Sequence, residues 1–340
     1  MISRVLIPLL LCFLGILSEG SSDASHSPVM GILAQPTAKG DHLYIAASYV
    51  KWLEAGGARS IAIQDDLTDD VELDELFQQI HGLFIPGGAT DEMSYAIQYL
   101  LNKAVESNQE GHYFPVWGTC MGFEYLVRFI GGDDILQAGY QAENKSLPLE
   151  GVVRTSFLYS DDDIYQTVIS RNTTLNNHHL GLHPATYWSS PSLQSVWEIT
   201  SINHDETGRP FVSTLEPISD LPFYGVQYHP EKNAFEYATY PHTTLPYEAI
   251  DHSPEGVAFS TALARVAVHL ARTTLERNDR HAYTDPDRFP YVYTYPQQVG
   301  TAFEQIYIIP KSGQSEVTRK SYLRNGDMSH IPKRSYYHIQ

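Results

Sequence analysis

The chain has 340 residues, 42% of them hydrophobic and 18% charged, which excludes a disordered polymer and leaves ample length for a buried core. Its formal charge is −18 with 15 histidines counted as neutral. Such acidity argues against nucleic acid or an anionic membrane surface as a partner, and protonating the histidines in an acidic lumen would offset most of it.

Arg4 precedes an almost wholly apolar run from Val5 to Leu17, and small residues flank Glu19 just after it. Charge, length and flanks predict a secretory signal over 1–20. The run is shorter than the ~20 residues of a bilayer-spanning helix, and no later segment approaches that length. The implied address is the secretory pathway, ending in the extracellular space, a lysosome or a vacuole. Two sequons, Asn144-Lys145-Ser146 and Asn172-Thr173-Thr174, agree as N-glycosylation acceptors. Cys12 leaves with the signal, so Cys120 has no intrachain partner in a compartment where cysteines normally pair.

From Pro28, "PVMGILAQ" predicts a buried strand. "DHLYIAASYVKWLEAGGA" carries Leu43, Ala46, Ala47, Val50 and Leu53 at helical spacing and stops at Gly56-Gly57. "RSIAI" predicts a strand, "DDVELDELFQQI" a helix with acidic residues at its start, and "GLFIPGG" a strand ending in a tight turn. "DEMSYAIQYLLNKAVESN" is a further helix and "YFPVWG" a further strand. Strands and helices alternating at this spacing imply parallel strands joined by right-handed crossovers, so 28–130 is the wound half of an α/β sandwich. The middle is less regular; "ITSIN", "PFVSTLE" and "PFYGVQY" predict strands, and 232–253 a long loop. "EGVAFSTALARVAVHLARTTLE" is an amphipathic helix. The last 30 residues, 311–340, hold six Lys and Arg against two acids and read as a solvated, disordered tail.

Gly118-Thr119-Cys120-Met121-Gly122 fits Gly-x-nucleophile-x-Gly between a strand and a helix, a pattern that puts the nucleophile at the apex of a sharp, strained turn. Glycines on either side relieve the crowding. The helix behind points its N-terminus at the sulfur, which favours the thiolate, and the Met121 N–H faces an oxyanion formed on an attacked carbonyl. The bland readings of Cys120 are a small buried hydrophobe or an intermolecular disulfide. A thiol nucleophile needs a base, and His229 in "YGVQYHPEK" is the candidate. Pro230 fixes the chain beyond it, and Glu231 could hold the imidazole in the useful tautomer.

"PGG" near residue 87, "GTCMGFE" and "YGVQYHPEK", in this order and separation, resemble class I glutamine amidotransferase-like proteins. Together with "YIAASYVKWLEAGGAR" and the signal segment they resemble the gamma-glutamyl hydrolase (folate conjugase) family in particular, over 28–310. The resemblance implies a three-layer α/β/α fold of flavodoxin-like type with a mostly parallel central sheet. It implies Cys120 as nucleophile, His229 as acid/base, Glu231 as third triad member, and a second oxyanion N–H at Gly88. Glu124 would then meet an α-amino group or the substrate backbone, against the alternative of a helix residue satisfied locally. Tyr49 would lie at the pocket or in the core, and His183 near the active site. The substrates it implies are folylpoly-γ-glutamates, small polyanions for which Lys39, Lys51, Lys103 and Arg128 are available cations. No cofactor is called for, and a homodimer is left open.

Other readings carry less. His179 and His183 have an i, i+4 zinc-like spacing, but Gly181 and Pro184 break the helix it requires. "SDDDIY" at 160–165 lacks the remaining calcium-loop ligands and reads as a solvated turn. A glutaminase feeding a synthase would use the same triad, yet no nucleotide-binding segment accompanies it. A binding protein of the same fold would not need the complete Cys–His–Glu set.

Overall fold

The computed structural model describes residues 27–313 except 91, 241, 278–280 and 301. The expected signal over 1–20 and the tail beyond 313 lie outside the described residues.

Strand β1 (Val29–Pro36) is buried along nearly its whole length, as a central parallel strand must be. The stretch expected as one helix over 41–58 divides into strand β2 (Leu43–Ala46) and helix α1 (Ala47–Ala55). Its first residues pair instead with the end of β1, Gln35 opposite Tyr44 and Pro36 opposite Leu43. Sheet hydrogen bonds outweigh a spacing that fits a helix equally well. Strand β3 (Arg59–Gln64) follows, then helix α2 (Asp70–Gln79), whose N-cap Asp69 accepts from the Glu72 N–H. Strand β4 (Gly82–Ile85), helix α3 (Tyr95–Gln109), strand β5 (Val116–Thr119) and helix α4 (Met121–Gly131) complete the wound half.

The second half holds strand β6 (Gln137–Leu147), helix α5 (Asp162–Ser170) and strand β7 (Thr174–Gly181), where no element is predicted. The acidic run at 161–163 is no free turn. The Asp161 side chain accepts from the Asp163 and Ile164 N–H groups and starts α5, as short acidic residues do at helix N-termini. Helices α6 (Pro184–Trp188) and α7 (Pro191–Val196) lead to strands β8 (Trp197–His204), β9 (Pro210–Pro217) and β10 (Phe223–Val226). Then come helix α8 (Lys232–Phe235), the long helix α9 (Pro254–Arg277) and strands β11 (Gln297–Val299) and β12 (Gln305–Ile309).

Five strands run parallel in the order β3-β1-β4-β5-β10, the flavodoxin-like arrangement. Antiparallel β9 and β8 extend one side, and β2, β12 and β11 continue from the end of β1. In β1, Val29 and Leu33 point into a core shared with α2, α3 and α4. Met30, Ile32 and Ala34 point into a second core shared with α1, α5 and α9. This period of two separates the layers, and the molecule is an α/β/α sandwich. Strands β6 and β7 form a separate two-stranded sheet. Because β1, β4, β5 and β10 are parallel, Gln35 near the end of β1 and Gly87, Cys120 and His229 beyond β4, β5 and β10 lie at one edge, where open α/β sheets place ligands.

Candidate active site

Cys120 stands between the last residue of β5 and the first of α4 with φ 53 and ψ −108, a backbone region that L-residues visit rarely and at a cost. The surroundings enforce it. The Cys120 N–H donates to Val226 O at 2.8 Å, and Cys120 O accepts from the Glu124 N–H at 3.0 Å. A side chain on Gly118 would strike the Gly122 carbonyl, and one on Gly122 would strike Ile85 O. Both glycines are therefore required for close packing, as the motif predicts.

His229 lies three residues beyond β10, so the strand is shorter than "PFYGVQY" suggests. Its N–H donates to Leu175 O at 2.8 Å, tying it to β7. Its ring Nδ1 is 2.8 Å from Glu231 Oε1, and Glu231 is fully buried. Gly87 joins this pair to the cysteine. A Cβ built on Gly87 would lie 2.5 Å from His229 Cε1, 2.7 Å from the Tyr49 hydroxyl and 3.2 Å from Cys120 Cβ. Imidazole and cysteine thus flank one residue that has no side chain.

The Gly87 peptide groups are both held. Its N–H donates to the Tyr49 hydroxyl at 2.9 Å, and its carbonyl accepts from Gln35 Nε2 at 2.7 Å. The described peptide bonds are trans, so the Gly88 N–H points away from Gln35, opposite to that carbonyl. Thr90 closes the turn, its hydroxyl meeting Met121 Sδ at 3.1 Å and the Tyr125 hydroxyl at 2.7 Å.

The thiol is 5% exposed. Burial first, and then the Glu124 carboxylate, push it well above its ordinary pKa; Lys232 opposes them, Glu231 adds to the rise, and the Met121 N–H bonded to the sulfur opposes it. The helix N-terminus favours the thiolate, but desolvation outweighs that dipole. Burial, followed by Glu231 and Cys120, also raises the Tyr49 hydroxyl far above its usual range.

Glu124 stands one turn along α4 from Cys120, largely buried, and Oε1 accepts from Gln227 Nε2 at 3.1 Å. Tyr49 belongs to both expected settings, a core residue whose hydroxyl lies 3.2 Å from His229 Nδ1. His183 is placed differently. Its Nδ1 accepts from the Ala185 N–H at 3.0 Å as the N-cap of α6, and none of its described contacts is with Cys120 or His229. Strand β7 instead brings Asn177, whose carbonyl O is 4.0 Å from Cys120 Sγ. His179 lies in β7, so its spacing to His183 has no helical meaning. Asn144 and Asn172 are both exposed and line one surface groove of about 560 Å³.

Three of the four cations named from the sequence have settings that involve no described contact with Cys120. Lys51 donates to Gln305 at 2.8 Å, Lys103 pairs with Asp74 at 3.0 Å, and Lys39 is exposed on a turn. The cation acting on Cys120 is Lys232, which sequence reasoning missed although it adjoins Glu231 in "HPEK". Gln35, Asn177, Gln227 and Glu248 were missed too, having no motif spacing to mark them.

A cysteine at a strand–helix bend with a carboxylate-supported imidazole on a flavodoxin-like sheet defines a class I glutamine amidotransferase-like protein. The model of the family "Glutamine amidotransferase class-I" matches residues 47–242. Gamma-glutamyl hydrolase of Mus musculus is 35% identical over 80% of this chain and 88% of its own. Gamma-glutamyl hydrolase B of Dictyostelium discoideum is 31% identical over 85% of this chain and 84% of its own. Among solved structures, the glutaminase domain of Trypanosoma brucei CTPS with bound acivicin is similar at 17% identity and a TM-score of 0.44, over 70% of this chain and 94% of that one. The chain belongs to the gamma-glutamyl hydrolase family.

Proposed function

We propose that this protein hydrolyses γ-glutamyl amide bonds through a thioester on Cys120, with folylpoly-γ-glutamates as substrates. The observation that carries the reading is the Gly87 gap, with His229 on one side, Cys120 on the other and Glu231 on Nδ1. Glu231 accepts from Nδ1–H and leaves Nε2 as the nitrogen that exchanges protons. The neutral resting thiol attacks the γ-carbonyl carbon as its proton passes to Nε2. Backbone N–H groups of Met121 and Gly88 hold the oxyanion. His229 returns the proton to the departing amine, and the carbon–nitrogen bond breaks. Water then gives a proton to His229 and attacks the thioester, releasing the γ-carboxylate and restoring the thiol. Glu124 beside Gln227 accepts from the α-amide N–H of the glutamyl unit, whose α-nitrogen is acylated in such a chain.

The family relationship supports the choice of bond, and the arrangement around Cys120 supports the choice of nucleophile. Secretion with N-glycans on Asn144 and Asn172 belongs to the same proposal, and no described helix is long and apolar enough to cross a membrane. The test is glutamate release from a pteroyl γ-linked polyglutamate, beside its α-linked isomer and free glutamine. Release confined to the γ-linked chain supports the reading. Equal turnover of free glutamine would replace it with a glutaminase.

A further inference from the structure

Cys120 is nearly closed to solvent and lies among anions, an arrangement hostile to forming a thiolate. Glu124 from α4, Tyr49 from α1, and His229 and Glu231 from the segment after β10 lie around it, and the Lys232 ammonium of the same segment acts on it through its charge. Lys232 is the permanent cation among them and is itself 3% exposed. Its Nζ lies 2.6 and 2.8 Å from the two carboxylate oxygens of Glu248 and 5.4 Å from the Phe303 ring centroid. Glu248 Oε1 also accepts from Asn177 Nδ2 at 3.1 Å, and Asn177 is the residue whose carbonyl approaches the thiol. A second tie runs through Asn144: its N–H donates to Asn177 Oδ1 at 3.2 Å, and its Oδ1 accepts from the Ala249 N–H at 2.6 Å.

Taking two charges out of water costs several kcal/mol per ion, which their attraction repays only in good geometry. A buried pair of this kind is a poor device for stability alone. Its placement gives it another use. Lys232 follows Glu231 directly, and Glu248 sits in the long segment between α8 and α9, so the pair fastens that segment and β7 around the cysteine.

We propose that the Lys232–Glu248 pair is a positioning device for the nucleophile: the ammonium keeps the buried thiol ionisable, and Glu248 fixes both that ammonium and the Asn177 wall. The proposal rests on Cys120 being the nucleophile. Removing the cation should make the thiol harder to ionise, and removing the counter-anion while keeping the cation should make it easier. A merely structural pair would give no such opposition of sign.

The test is alkylation of the Cys120 peptide by iodoacetamide, followed by mass spectrometry across pH, in wild type, Lys232→Met, Lys232→Arg and Glu248→Gln. Lys232→Met should raise the apparent thiol pKa by about one unit, a roughly tenfold slower reaction at a given lower pH. Lys232→Arg should restore most of that loss, and Glu248→Gln should shift the pKa down. Shifts of the same sign in Lys232→Met and Glu248→Gln, or no shift in either, overturn the proposal. Should Lys232→Met fail to fold, the sign for Glu248→Gln decides alone. Alkylation is independent of the amide cleaved. Opposed shifts in a protein that releases no glutamate would leave this proposal and remove the substrate reading; active wild type without shifts would do the reverse.

Discussion

The Tyr49 hydroxyl lies 3.2 Å from His229 Nδ1 and 2.9 Å from the Gly87 nitrogen, so one core residue of α1 steadies both the imidazole and the turn it faces. Tyr49→Phe should lower kcat by roughly 10- to 100-fold, since small misplacements at a reacting centre are costly. It should also destabilise by about 1–3 kcal/mol, because the Gly87 N–H loses its partner. The Tyr49 hydroxyl is held protonated far above its usual range, so the variant should keep the shape of the wild-type pH–rate profile. A displaced limb in that profile would show that Tyr49 itself titrates during turnover.

Gly87→Ala is the sharpest steric probe. Its methyl would lie 2.5 Å from His229 Cε1, closer than carbon atoms approach, and in tight contact with Cys120 Cβ at 3.2 Å. Buried side chains on both sides leave little room to yield. We expect kcat/KM to fall by about 100-fold or more, measured on the γ-linked substrate beside thermal denaturation. Near-wild-type turnover would mean that the gap between the two groups is not the reacting geometry.

Acid should weaken the fold through two buried histidines. Burial, then neighbouring His281, lowers His81 to about 4, and burial foremost lowers His178 to about 4. The unfolded chain takes up these protons near pH 6.5 and the folded chain only near 4. Between those values the unfolded state holds more protons, so stability is full above pH 6.5 and is lost as pH falls. Each contributes on the order of 3 kcal/mol. His81→Gln, whose carboxamide can accept from the Val29 N–H as His81 Nδ1 does at 3.0 Å, should flatten that decline in urea titrations across pH. An unchanged slope would contradict it. An acidic lumen therefore relieves net charge while straining these two sites.

The sequons should differ in their effect on stability. Asn144 has φ 53 and accepts the Ala249 N–H through Oδ1, while Asn172 is exposed. After secretion from a glycosylating host, Asn144→Gln and Asn172→Gln should each remove one endoglycosidase-sensitive mass step. Only Asn144→Gln should also lower stability, by about 1–2 kcal/mol, for the lost contact and the left-handed backbone. Equal melting temperatures would show that the Ala249 contact contributes nothing.

The parallel core was legible because β1, β3, β4 and β5 are short apolar runs between amphipathic helices, and Cys120 because its glycines are spaced by steric need. The β6–β7 sheet was not. β6 reads "QAGYQAENKSL", with few apolar positions to mark a period of two, and its pairing is set by a partner beyond α5. β2 was hidden because its residues also satisfy helical spacing. Tyr49 and Glu248 reach His229 and Lys232 from two distant segments, a proximity that chain folding alone creates, whereas Lys232 adjoins Glu231 in the sequence. His183 shows a second use that sequence spacing does not reveal, since a histidine before a proline can cap a helix, as it does for α6.

The central claim is that the Cys120 thiol carries the reaction, and the direct measurement is the rate of glutamate release by Cys120→Ala beside wild type, with matched melting curves. The account predicts a loss of at least about 10³-fold in a protein that still folds. Release at the wild-type rate would contradict it.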